Sequence, residues 1–119
     1  MEFTDLHHTV FAQCDTHEKQ CIYQAVRAAM LSDNDSARRE EYLLHDLERA
    51  MGLTAEEYET SKGLDKDVII ATIRNMNYFK RLITGKLMVD MVYADGFVTQ
   101  REQLFIQQIF DQFNIPVAD

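Results

Sequence analysis

Apolar residues recur along this chain at the three- and four-residue spacing of helices, and the pattern reads as about seven helices with no strand. The clearest stripe is Leu43, Leu47 and Met51, with Leu44 beside it, which predicts a helix over about 37–51. Ile22, Ala25, Val26, Ala29 and Met30 predict an earlier one over about 16–31. Phe79, Leu82, Ile83, Leu87 and Met91 predict a long one over about 78–94. Phe105, Ile109 and Phe113, with Ile106 and Phe110, predict the last, over about 100–113. Phe3, Leu6 and Val10 suggest a first helix over 3–13, and Val68, Ile69, Ile73 and Met76 a fifth that begins at Asp65.

Polar residues punctuate these stripes. Asp15 or Thr16 can cap the second helix, and Thr54-Ala55-Glu56-Glu57 carries the capping-box pattern of a short fourth helix that fades near Gly63. Ser32-Asp33-Asn34-Asp35-Ser36 is a break rich in turn formers, and Asp95-Gly96-Phe97-Val98 is a second. Thr99 and Glu102 form another capping box. Gly52 is placed for a left-handed C-cap with Leu53 folding back, and Asn114 takes the same place at the end of the last helix. Gly85, inside the sixth helix, costs about 1 kcal/mol against alanine, so it marks either a close approach by another helix or a short break.

The pattern repeats. A shift of 62 positions lays Asp33 on Asp95, Arg39 on Arg101 and Glu40 on Glu102, with no gap. Val26 falls on Met88, Met30 on Val92, Leu43 on Phe105, Leu47 on Ile109, Met51 on Phe113 and Leu53 on Ile115. Such a repeat implies two copies of one helix–loop–helix unit, about 22–54 and 84–116, related by a pseudo-twofold axis within a single domain over 1–119.

A net charge of −8 argues against non-specific binding to nucleic acid or an anionic bilayer. No apolar run reaches the about 20 residues of a spanning helix. The acidic start, Met1-Glu2-Phe3-Thr4-Asp5, is unlike a secretory signal, so the cytoplasm is the expected compartment. Cys14 and Cys21 would lie about 10 Å apart on one straight helix, beyond the about 7 Å a disulfide tolerates, so both read as free thiols.

Candidate chemistry is sparse. Asp95 ends one helix and Glu102 opens the next, so the reversal between them can bring two carboxylates together, and Asp33 and Glu40 offer the same pair again. Four carboxylates gathered near a twofold axis would suit a divalent cation such as calcium, magnesium, manganese or zinc. The competing reading is structural: Glu102 is the partner in a capping box, and acids favour helix starts. An EF-hand does not fit, because aligning Gly96 with its sixth position puts Met91 at the first. His7, Cys14, His17 and Cys21 are soft donors, but on one helix His7 and Cys21 would stand about 21 Å apart. Buried thiols and surface histidines are the expectation there. No nucleophile elbow, P-loop or dinucleotide fingerprint is present, so the chain is read as non-enzymatic with no resident cofactor. A metal-dependent hydrolase using the same acids stands as an alternative. Arg74, Lys80, Arg81 and Lys86 form a basic cluster apart from the acids, which suits docking of protein partners. The oligomeric state is open.

Met91-Val-Tyr-Ala-Asp-Gly-Phe-Val-Thr-Gln-Arg-Glu102, followed by Phe105, Ile106, Ile109 and Ile115, resembles the TerB-like family. Its hallmark is a helix ending in Ala-Asp-Gly, an apolar residue two on, and a glutamate opening the next helix. In the first copy Asn34, Ser36 and Ala37 stand where the second has Gly96, Val98 and Thr99. The resemblance implies a compact all-α bundle of about seven helices with an internal duplication. It also implies a binding or scaffolding role in a tellurite, metal-ion or envelope stress response, with acids of the Asp95 and Glu102 type as metal ligands.

Overall fold

The computed structural model describes residues 2–31, 37–94 and 99–116, with backbone alone for 37–40. Among these lie seven helices and no strand: α1 (Asp5–Gln13), α2 (Thr16–Met30), α3 (Ala37–Met51), α4 (Ala55–Ser61), α5 (Lys66–Arg74), α6 (Tyr78–Val92) and α7 (Gln100–Phe113).

Local chemistry sets the helix ends. Reciprocal capping boxes open α1, α2, α4 and α7, through Thr4 and His7, Asp15 and Glu18, Thr54 and Glu57, and Thr99 and Glu102. Each satisfies backbone N–H groups that the first turn leaves without partners. Asp65 and Asn77 cap α5 and α6. α3 and α7 end in left-handed residues, Gly52 at φ 73° and Asn114 at φ 53°. Behind them the N–H of Leu53 donates to Glu48 O at 3.1 Å, and that of Ile115 to Phe110 O at 2.9 Å.

α2 is the central element. It packs on α5 and α6 and touches α3, α4 and α7, while α1 lies on α6 and α3, and α7 closes against α5 and α6. Ile22, Val26, Leu47, Ile73, Met88 and Met91 fill one shared interior. The radius of gyration is 13.1 Å, against the about 13.5 Å expected of a single domain this long. No described helix is long and apolar enough to cross a membrane.

Three expectations change. α1 starts at Asp5 because Thr4 holds an extended cap, and its inner face is His7, Val10 and Phe11. Leu6 turns outward, 46% exposed, and His7 is buried rather than on the surface. In α5, Val68 is exposed while Ile73 enters the core. Cys14 caps α1 and so does not share a helix with Cys21; both thiols are nonetheless free and buried. Burial pushes the Cys14 thiol up to about 11 and raises that of Cys21.

Gly85 marks a close approach, not a break. α6 runs through it, and a Cβ there would lie 2.5 Å from Ile115 Cγ2 and 3.1 Å from Phe110 Cζ.

Candidate functional site

Of the four acids singled out in the sequence, Glu102 alone has a described side chain. Asp33 and Asp95 lie outside the described residues, as does the side chain of Glu40. Glu102 stands in the first turn of α7, three residues after its cap Thr99, and is 3% exposed. Its Oε1 accepts from the Thr99 N–H at 3.3 Å and from the Thr99 hydroxyl at 3.2 Å. Its own N–H donates to Thr99 Oγ1 at 3.1 Å. Oε2 takes no hydrogen bond from a described residue, and no described lysine or arginine pairs with this carboxylate.

The same position in α2 is balanced differently. Glu18 also closes a capping box, and Lys80 of α6 reaches it with Nζ at 3.0 and 3.1 Å from the two oxygens. Both side chains of that ion pair are largely covered, at 15% and 17% exposure.

The basic cluster is mostly committed inside the fold. Arg74 donates to Gln112 O at 2.9 Å, and Arg81 donates to Met76 O and Asn114 O. The two guanidinium groups thereby meet carbonyls around the C-terminal end of α7, where the helix dipole favours a cation. Lys80 is bound to Glu18, whereas Lys86, 3.7 Å from Asp90, and Arg74 remain exposed. Of the four residues expected to form a docking surface, Arg74 and Lys86 are exposed and Lys80 and Arg81 are partly covered.

The soft donors do not converge. His7 turns to α6, with Nε2 3.4 Å from Asp90 Oδ2. His17 Nε2 lies 3.1 Å from Thr72 Oγ1 and 3.7 Å from Cys21 Sγ. Among the described residues, no three His, Cys, Asp or Glu side chains are placed to hold a metal ion.

His7 has a determined tautomer. The Thr4 N–H donates to its Nδ1 at 3.1 Å, so Nδ1 is bare and the proton sits on Nε2. Nε2 is buried without a hydrogen bond. Burial holds the imidazole below its ordinary 6.5, against the opposing pull of Asp90.

One polar arrangement went unseen in the sequence. Tyr23, 1% exposed on α2, donates its hydroxyl to Glu48 Oε1 at 2.9 Å. The other oxygen of Glu48 lies 3.4 Å from Nδ1 of exposed His45. The Tyr58 ring meets Tyr23 edge-on at 5.5 Å, and Lys62 Nζ sits 4.6 Å over Tyr58. Burial and the Glu48 carboxylate raise the Tyr23 phenol. These groups adjoin a cavity of about 140 Å³ lined by Tyr23, Arg27, Glu41, Leu44, His45 and Tyr58 among others. The available signal was the spacing of Glu41, His45 and Glu48, which puts three polar groups on one face of α3. A second cavity, an apolar groove of about 420 Å³, is lined by Leu6, Leu82, Val89 and Phe110, with Lys86 and Asp90 also on its wall.

No family model, no curated protein and no solved structure matches this chain.

Proposed function

We propose that the chain is a non-catalytic binding or scaffolding module of the TerB-like type, built by internal duplication, with an acidic divalent-cation site. Asp95 and Glu102 hold the ion, and Asp33 and Glu40 form the pseudo-symmetric counterpart. The proposed setting is a cytoplasmic tellurite, metal-ion or envelope stress response with protein partners, an assignment that rests on the resemblance of residues 91–102.

The observation that carries the cation site is the condition of Glu102. It is 3% exposed in the first turn of α7, seven positions after Asp95 in the sequence, no described lysine or arginine pairs with it, and its Oε2 takes no hydrogen bond from a described residue. A hard cation supplied from outside would stabilise that carboxylate.

Several features support the duplication. α2 and α6 are each 15 residues long, and their bounds differ by 62 positions at both ends. Gly52 and Asn114, also 62 apart, share the left-handed conformation and the same hydrogen bonds behind it. α1 packs on α6 as α5, its counterpart, packs on α2. Glu18 and Lys80 are themselves 62 positions apart and bonded to each other. A residue that meets its own counterpart is what a local twofold axis produces.

Calorimetry on the intact chain with calcium, magnesium, manganese and zinc tests the site. Saturable binding is expected, and it should disappear in Asp95→Asn and Glu102→Gln. Glutamine keeps a capping-box acceptor, so Glu102→Gln should stay folded. Absence of binding by every ion would leave the acids structural and the chain an adaptor working through its surface. Metal-dependent turnover of a substrate panel would favour the hydrolase instead.

A further inference from the structure

We propose that the cavity walled by α2, α3 and α4 binds a small zwitterion of the α-amino-acid class, its carboxylate held by Arg27 and its ammonium by Glu41. This goes beyond the cation site and uses none of its residues.

Arg27 and Glu41 line the same cavity, yet they form no ion pair with each other or with any other described residue. Arg27 is half-buried, and a guanidinium fork in that position suits a carboxylate taken by two parallel hydrogen bonds. Glu48, the nearby acid on α3, does not answer it. Its two oxygens are occupied by the Tyr23 hydroxyl and by the approach of His45. Opposite charges facing one space without meeting leave room for a ligand that carries both signs.

Size narrows the class. About 140 Å³ is well below the about 300–1,000 Å³ of drug-sized sites. Nucleotides and peptides are too large, whereas an amino acid with a small side chain fits. Leu44 and the Tyr58 ring supply an apolar wall for that side chain.

Packing alone does not call for this polar set. In the 62-residue register, Tyr23, Arg27 and Glu48 correspond to Gly85, Val89 and Phe110. There the corresponding residues are apolar and line the groove of about 420 Å³, with the Phe110 ring 3.1 Å from where a Cβ of residue 85 would be. This comparison rests on the duplication, not on the cation site.

The test is a titration of the full chain followed by amide and aromatic NMR, with L-alanine and L-valine as probes and sodium acetate as the control. Saturable shifts are expected at Tyr23, Arg27 and His45, with amino acids binding at least about tenfold tighter than acetate. Arg27→Gln and Glu41→Gln should each weaken amino-acid binding at least about tenfold. Glu41 is exposed, so its variant tests the ammonium contact without a folding defect. No saturable shift at about 10 mM probe overturns the proposal. So does acetate binding as tightly as the amino acids, or full affinity in Glu41→Gln. Divalent cations are left out of these titrations, so this result and the calorimetric one fail independently.

Discussion

Gly85→Ala sets two effects against each other, and the structure decides which wins. In the middle of a helix, alanine is favoured over glycine by about 1 kcal/mol. α6 is regular through Gly85, so nothing in the backbone calls for glycine there. The opposing effect is steric. The new methyl would lie 2.5 Å from Ile115 Cγ2 and 3.1 Å from Phe110 Cζ. Ile115 is β-branched, buried, and held by its N–H bond to Phe110 O, so its methyl does not swing aside freely. Overpacking of this kind costs about 1–3 kcal/mol. The net expectation is a loss of about 1 kcal/mol, and the double variant makes it decisive. Ile115→Ala removes the offending Cγ2, so adding Gly85→Ala in that background should stabilise by up to about 1 kcal/mol. Urea unfolding of wild type, both single variants and the double variant completes the cycle. A Gly85→Ala protein more stable than wild type, or one whose effect is unchanged by Ile115→Ala, would refute the close-approach account.

Two further outcomes follow from burial and from His7. Leu47 is fully buried and Ile109 is 4% exposed, so Leu47→Ala and Ile109→Ala should each destabilise by about 2–5 kcal/mol. Melting curves unchanged by either substitution would contradict the shared interior. His7 has a folded pKa below its ordinary 6.5, so the unfolded chain takes up a proton first as the solution is acidified. Its contribution to stability is whole above about pH 6.5 and is lost as pH falls through the lowered folded value. Protonated Nδ1 would also face the Thr4 N–H and break the cap of α1. Urea midpoints measured from about pH 7.5 to 5.5 should fall more steeply for wild type than for His7→Gln. Equal slopes would show that this imidazole does not set the acid response.

Much of the fold was legible because helix ends are decided within three or four residues. Thr99 and Glu102, or Thr54 and Glu57, make their capping boxes whatever else the molecule does. Gly52 and Asn114 adopt the left-handed caps expected of them. The stripe of Leu43, Leu47 and Met51 announced a helix with one covered face, and Leu47 and Met51 are in the core. The site was far less legible. Nothing local tells Tyr23 that Glu48 will be its partner 25 positions away, or Lys80 that Glu18 will take its charge. A basic cluster read along one dimension becomes a set of helix-end contacts once α5, α6 and α7 meet.

Sequence alone settled the all-helical character of the described residues and the helix boundaries to within a few residues. These follow from short-range hydrogen bonding and the 3.6-residue period, both written in neighbouring positions. Tertiary structure decided which side of α1 is buried, why position 85 lacks a side chain, and which charges are spent inside the fold. Those outcomes depend on where a second helix arrives, because burial and pairing are properties of two surfaces and a periodic stripe describes one.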